Sequence, residues 1–290
     1  MSTAEILRSY LRIRRRRFHS RADLLRWQDA QVQAFLRRIV PRSPFTARRF
    51  AGRDYAAWQS LPVMDKAQMM AEFDALNTVG VSREAAMAAA LQAESSRDFA
   101  PTLNGVTVGL SSGTSGTRGL FLVSPAERWQ WAGAMLARAL PGSLLAPQRV
   151  AFFLRANSNL YSSVRSRWIR FEYFDLLEPL EAHLARLNEF RPTLLAAPPA
   201  LLRWLAANIG ALRGRPAKII SVAEVLDPLD EAFIARQFGQ PVHQVYQATE
   251  GFLGATCRYG TLHLNEDLLA VQRDPLEGGG GRKFAPIITD

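Results

Sequence analysis

Residues Ala217 to Glu250 read AKIISVAEVLDPLDEAFIARQFGQPVHQVYQATE, and their punctuation decides the fold class. The apolar run from Ala217 to Leu226 has the length and β-branched content of a buried strand. Asp227 then offers a side-chain cap, Pro228 fits the first helical position, and Gly239 stops the pattern, so Asp227 to Gly239 is expected to be a helix. Pro241 to Glu250 returns to strand. Upstream the same alternation recurs: RVAFFLRA (Arg149–Ala156) as strand, LEPLEAHLARLNEF (Leu177–Phe190) as helix, TLLAAPP (Thr193–Pro199) as strand, ALLRWLAANIGAL (Ala200–Leu212) as helix. Strands alternating with helices predict an α/β domain, with its ligand beyond the carboxyl ends of the strands.

Ahead of this region the chain is expected to be mostly helical up to Leu110, so it divides at about 1–100 and 101–290. SLPVMDKAQMMAEFDAL (Ser60–Leu76) starts a helix with Asp65 as a cap. The 290 residues are 48% hydrophobic and 21% charged, a globular composition. No apolar run reaches the roughly 18 residues of a membrane span. The start, MSTAEILRSYLRIRRRRF, lacks the apolar core of a secretory signal. The single cysteine, Cys257, fits a reducing compartment, and a cytoplasmic location is expected.

The net charge of +10 belongs to one segment: 14 of the arginines lie within residues 1–53, against only Glu5, Asp23 and Asp29. There Ile6, Leu7, Tyr10, Leu11, Phe18, Leu24, Leu25 and Trp27 recur near helical spacing, as in amphipathic helices with a charged outer face. Such helices either pack on the body or touch an anionic surface, so peripheral membrane contact stays open. No basic–aromatic sheet signature or zinc-finger spacing points to nucleic acid, and none is expected as a partner.

A second stretch carries chemistry: GLSSGTSGTRGLFLVS, Gly109 to Ser124. It lacks the Gly-Lys-Ser/Thr ending of a Walker loop, and the dinucleotide fingerprint fails on spacing. Ser115 has Gly113 before it but Thr117 after it, which argues against a nucleophile elbow and leaves a Ser115 hydrolase as a weak third option. What remains is a hydroxyl- and glycine-rich loop with one cation, Arg118, either a phosphate cradle or a plain surface loop. Downstream, VYQATEG (Val245–Gly251) sets an aromatic, an amide, a hydroxyl and a carboxylate at a strand's end. That order suits stacking a base, bonding a phosphate and holding a divalent cation; a Glu simply facing water is the plainer reading. ATCRYGTLHLNED (Ala255–Asp267) brings Cys257, His263, Glu266 and Asp267 together. With no second thiol it reads as a hairpin with one buried cysteine rather than a zinc site.

SSGTSGTRG resembles the Ser/Thr/Gly-rich signature of adenylate-forming enzymes, and YQATEG resembles their Tyr-x-x-Thr-Glu motif in the expected order. RPTLLAAPPALLRWLA is similar to the segment preceding their nucleotide pocket, and IISVAEVLDP is similar to the Gly-Glu-containing turn that lines adenine. The likeness spans roughly the whole chain and is nearest to the phenylacetate–CoA ligase and deazaflavin-coenzyme synthetase-like subgroup, in particular hypothetical adenylate-forming enzymes with a basic helical N-terminus.

The resemblance implies the large α/β domain of such an enzyme and ATP-dependent activation of an aryl or other hydrophobic carboxylic acid, followed by acyl transfer to a thiol of CoA or a carrier protein. It implies Ser111, Ser112, Gly113, Thr114, Ser115, Gly116, Thr117 and Gly119 around the β- and γ-phosphates, with Arg118 as the cation. Thr249 would meet the α-phosphate and Glu250 the Mg2+. Ala223, Glu224, Tyr246 and Gln247 would line the adenine slot, and Asn157, Asn159 and Tyr161 the acid pocket. Two departures stand out. The loop has Arg118–Gly119 where the family usually has a lysine. The ribose aspartate, hinge and small C-terminal domain with its catalytic lysine are expected beyond Asp290, so the chain is expected to be a truncated or partial protein, or a variant using only the first half of the fold. None of Lys66, Lys218 and Lys283 is placed to be that catalytic lysine, and Asp290 does not replace the ribose aspartate. The alternative is a catalytically incomplete nucleotide-binding partner that docks through its basic N-terminus.

Overall fold

The computed structural model describes residues 2–111, 118–276 and 283–289. The chain begins with α1 (Ser2–Arg15), α2 (Arg21–Ile39), α3 (Pro44–Arg49), α4 (Lys66–Ala71), α5 (Phe73–Leu76) and α6 (Arg83–Ser96). A hairpin follows, β1 (Thr107–Leu110) with β2 (Leu120–Val123), and then α7 (Pro125–Ala139). The alternating region comprises β3 (Gln148–Leu154), α8 (Asn159–Ser162), β4 (Ile169–Asp175), α9 (Leu180–Phe190), β5 (Leu194–Ala197), α10 (Pro199–Ala207), β6 (Lys218–Ser221), α11 (Pro228–Phe238) and β7 (Val242–Ala248). Antiparallel β8 (Gly251–Thr256) and β9 (Leu262–Leu264) come next, and β10 (Ala270–Pro275) pairs with β11 (Phe284–Thr289).

Seven strands form one sheet in the order β4-β3-β5-β6-β7-β8-β9, the first five parallel. Its strands are apolar on both faces because both are covered. In β3, Ala151 and Phe153 face a cluster that includes Phe174, Leu187, Leu202, Leu205 and Ile234, supplied in part by α9, α10 and α11. Val150 and Phe152 belong to the opposite cluster, where Ala132, Leu136 and Ala139 of α7 cover the sheet. Phe153 and Phe174 stack at 4.5 Å between centroids, both fully buried.

Local chemistry sets the ends of the elements. The Asp227 side chain accepts from Leu229 N, Pro228 opens α11, and Gly239 closes it at φ 68°. Asp65 caps α4 by accepting from Gln68 N. Ser124 and Glu127 form a reciprocal capping box at the start of α7. The run expected as strand to Leu226 stops at Ser221, because Ala223 at φ 70° turns the chain out of the sheet.

The basic helices pack on this body. Ile6 and Tyr10 of α1 lie against the cluster under α7 and Ile13 is buried, while Ser9 Oγ donates to Gln130 O at 3.0 Å. Arg16 and Arg138 converge on Asp267, and Arg21 pairs with Glu266 at 2.7 Å. No helix among the described residues is long and apolar enough to cross a membrane.

One expectation needs correcting. Cys257 sits in the β8–β9 turn but is half-buried, not buried; it accepts from Tyr259 N, and that bond holds its thiol below the usual range. Glu266 and Asp267 are engaged by arginines, and no group of His, Cys, Asp and Glu able to hold a metal ion occurs among the described residues.

Candidate functional site

The carboxyl edge of the parallel strands carries Ala223 and Glu224 after β6, and Tyr246, Gln247, Thr249 and Glu250 at the end of β7. Ser221 of β6 stands opposite Gln244 of β7. Two residues further along each strand direction come Ala223 and Tyr246. Ala223 has a left-handed φ of 70°, and Glu224 N donates to Val222 O at 2.9 Å, closing a three-residue γ-turn. Such a conformation is strained for a residue with a Cβ and persists only when its surroundings enforce it. It leaves Ala223, Glu224 and Val225 exposed beside Tyr246, which is 42% exposed, a wide opening for so large a ring.

The β7–β8 pairing shifts register between Tyr246 and Gln247, a bulge that re-aims neighbouring side chains. Gln247 Oε1 accepts from Trp131 Nε1 of α7 at 2.9 Å. Thr249 and Glu250 form the turn into β8, both exposed, with Thr249 Oγ1 donating to Glu250 Oε2 at 3.0 Å.

The hydroxyl-rich stretch connects β1 to β2 in the sequence, and those two strands pair antiparallel. That placement differs from the strand-to-helix turn of Walker, dinucleotide and nucleophile-elbow loops. Its base is clasped: Ser111 N donates to Gly119 O at 2.8 Å, and Gly119 N donates to Ser111 Oγ at 2.7 Å. Ser112, Gly113, Thr114, Ser115, Gly116 and Thr117 lie outside the described residues.

Arg118 folds back rather than pointing along the loop. Both of its terminal nitrogens donate to Glu94 of α6, one at 2.8 Å, and Nε donates to Ser111 O. The Arg118 hydrogen bond holds Glu94 below its usual range, and the same bond raises Arg118. Arg97, which ends α6 at φ 59°, donates to Asp175 at 2.7 Å, to Tyr173 Oη at 3.0 Å and to Arg155 O. Those partners stand at the carboxyl ends of β3 and β4, so α6 ties the hairpin to that edge of the sheet.

The sequence reading set Lys66 aside as a catalytic lysine and did not place it beside this loop. Lys66 opens α4, and a Cβ on Gly119 would come 2.8 Å from its Cε and 3.6 Å from Met69 Cε. Gly119 therefore leaves room for a lysine stem from a distant element to lie across the loop's base. The only signal was the Asp65 cap, which fixes Lys66 at the start of its helix.

The acid-pocket candidates separate. Asn157 Oδ1 accepts from Ser158 N within its own loop, whereas Asn159 Nδ2 donates to Ala100 O at 2.7 Å and ties that loop to the segment after α6. Tyr161 packs at 4.8 Å from Phe152 and 5.8 Å from Trp131, and burial pushes its hydroxyl up to about 12. Trp131 thus touches both Tyr161 and Gln247, joining the loop after β3 to the end of β7.

No protein-family model matches the sequence, and no curated protein matches it. Among solved structures, 2-hydroxyisobutyryl-CoA ligase in complex with 2-HIB-AMP and CoA in the thioesterification state matches with a TM-score of 0.65 at 16% identity, over 89% of this chain and 57% of that one. An open conformation of that ligase, with the same two ligands, matches at 0.64 and 12% identity, over 89% and 62%. Its postadenylation state with R3-HIB-AMP matches at 0.63 and 14% identity, over 85% and 54%. The likeness is one of fold: this chain has the α/β architecture of the N-terminal domain of adenylate-forming enzymes. It spans less than two thirds of the length of the ligase chains it matches.

Proposed function

We propose that the carboxyl edge of this sheet binds ATP and activates a carboxylic acid as its acyl adenylate. The observation that carries this reading is the strained Ala223 turn after β6, beside β7, whose end bears exposed Tyr246 and leads into Thr249 and Glu250. A base stacks on Tyr246 with the Ala223–Glu224 backbone on its other side. Thr249 donates to the α-phosphate. Ser111 to Gly119 wrap the β- and γ-phosphates, their small residues letting backbone N–H groups approach.

Two cations stand at the base of this loop: Arg118, whose guanidinium pairs with Glu94, and Lys66, whose stem lies against Gly119. A point charge on a flexible stem suits a triphosphate that must move during the reaction.

Glu250 is a fitting Mg2+ ligand, since that ion is commonly held by one or two carboxylates together with substrate phosphates. When bound, Mg2+ neutralises charge that accumulates on the departing pyrophosphate. The protein's own task is to align two anions that repel, the carboxylate and the α-phosphate. The acid's oxygen attacks the α-phosphorus, the bond to the β-phosphate oxygen breaks, and acyl adenylate and pyrophosphate form. Trp131, which bonds Gln247, packs with Tyr161 against Phe152, and this aromatic group favours an aryl or other hydrophobic acid. Transfer to a CoA or carrier thiol follows in the fuller reaction, and the phenylacetate–CoA ligase-like subgroup is the nearest kin this reading suggests.

The test is pyrophosphate release over a panel of aryl and aliphatic acids. Release requires both ATP and acid, and Glu250→Gln lowers it by roughly 10²-fold or more without loss of folding. Release independent of the acid, or unchanged in Glu250→Gln, overturns the reading.

A further inference from the structure

The opposite edge of the sheet holds a second concavity. At the amino ends of β6 and β7 a cavity of about 600 Å³ opens between the last turn of α1, the end of α7 and the β8–β9 hairpin. Its lining includes Arg14, Arg138, Lys218, His243, Arg258 and His263, and no carboxylate. Asp267 pairs with Arg138 at 2.7 Å, but among the described residues no acid pairs with Arg14, Lys218 or Arg258.

The buried groups here are under-bonded. Lys218 is only 9% exposed, yet its ammonium makes one long hydrogen bond, to Arg138 O at 3.5 Å, where it has three protons to donate. His243 Nδ1 and Arg138 Nε are shielded from solvent without a hydrogen-bond partner. Buried donors are normally paired, and a cluster of unpaired ones around one space calls for an acceptor. The last turns of α1 and α7 also face this end, and the partial negative charge of their carbonyls offsets part of the positive charge. Desolvation pushes Lys218 down to about 8, and desolvation followed by the Lys218 charge lowers His243. An anion seated between them would reverse both effects.

We propose that this cavity is a binding site for a phosphate group, free or carried as a phosphomonoester by a small molecule, held by Lys218, His243 and the flanking arginines. A dianion matches the excess of positive charge, and the volume accommodates more than a bare ion. The site is on the far side of the sheet from Tyr246 and Glu250, so it serves neither the adenine slot nor the phosphate loop proposed above.

Titration calorimetry with inorganic phosphate and with glycerol phosphate tests this. Wild-type protein binds at least one of them, and Lys218→Met and His243→Gln each weaken binding by about tenfold or more. Lys218→Met removes a buried charge and leaves an apolar chain of similar length, so folding is retained; circular dichroism checks it. Arg8→Gln, an exposed α1 arginine outside the cavity, leaves binding unchanged. Tighter binding of glycerol phosphate identifies a phosphorylated molecule as the ligand, whereas equal or weaker binding identifies free phosphate. Binding also weakens as pH rises through 8, as Lys218 loses its proton. Failure of both probes to bind below about 10 mM, or equal affinity in wild type and Lys218→Met, overturns the proposal.

Discussion

Gly119 and Lys66 show how one missing Cβ shapes the candidate site. The glycine lets a lysine from α4 lie against the base of the hydroxyl-rich loop, and any larger residue must push the lysine's flexible end aside. Gly119→Ala is therefore expected to weaken ATP binding while leaving the melting temperature nearly unchanged. Lys66→Met weakens it further, by about 10- to 100-fold, since a charge-assisted hydrogen bond to phosphate is worth about 1.5–3 kcal/mol. Equal affinity in both variants and wild type, read by calorimetry, would remove Lys66 from the site. Ala223 gives a second residue-scale prediction. Its φ of 70° is relieved by glycine, which also loses more entropy on folding, so Ala223→Gly should stabilise by about 1 kcal/mol or somewhat less in urea titrations. A destabilised variant would mean that the γ-turn carries no strain. Ala223 was singled out in the sequence only through a resemblance; its strained backbone was not legible, because nothing in VAEVL marks a left-handed residue.

At the scale of elements, the contact of α1 with α7 explains what becomes of the basic N-terminus. A Cβ on Gly133 would fall 2.5 Å from Ser9 Cβ and 2.7 Å from Ile6 O, so the two helices cross with backbone nearly touching side chain. Gly133→Ala is expected to destabilise by about 1–3 kcal/mol and to raise hydrogen exchange across Ser2–Arg15 more than across β3 or β5. Uniform exchange would show that α1 is no separate docking element. The helix ends were the most readable part of the sequence: Asp227, Pro228 and Gly239 each do locally what their type favours. α7 and β4 were passed over. The Ser124–Glu127 box was a usable signal for the first, but RFEYFD in β4 alternates polar and apolar residues weakly, because its burial comes from neighbours far along the chain. The clasp of Ser111 with Gly119 and the Arg118–Glu94 pair were equally hidden, being contacts between segments whose approach no local pattern encodes.

For the whole molecule, buried histidines set an acid limit on stability. His183 is fully buried, both ring nitrogens lack hydrogen-bond partners, and desolvation lowers its pKa; His243 shifts the same way. The unfolded chain takes up these protons near pH 6.5 and the folded one does so only lower, so stability falls as pH drops below about 6.5. His183→Leu should flatten that fall in denaturation midpoints taken between pH 7 and 5, and an unchanged slope would place the acid sensitivity elsewhere. The alternation of strands and helices made the α/β class readable, since two-sided burial writes itself as apolar runs such as LLAA in β5. The assembly of a site from α4, α6, the β1–β2 hairpin and the ends of β6 and β7 was not readable, because it depends on sheet order. That assembly is the central claim, and calorimetry of ATP with Mg2+ tests it most directly. One ATP per chain should bind to the wild type, with affinity sharply reduced in Thr249→Val and in Lys66→Met, whose side chains come from opposite ends of the proposed site. ATP that fails to bind, or binds equally to all three proteins, would contradict the account.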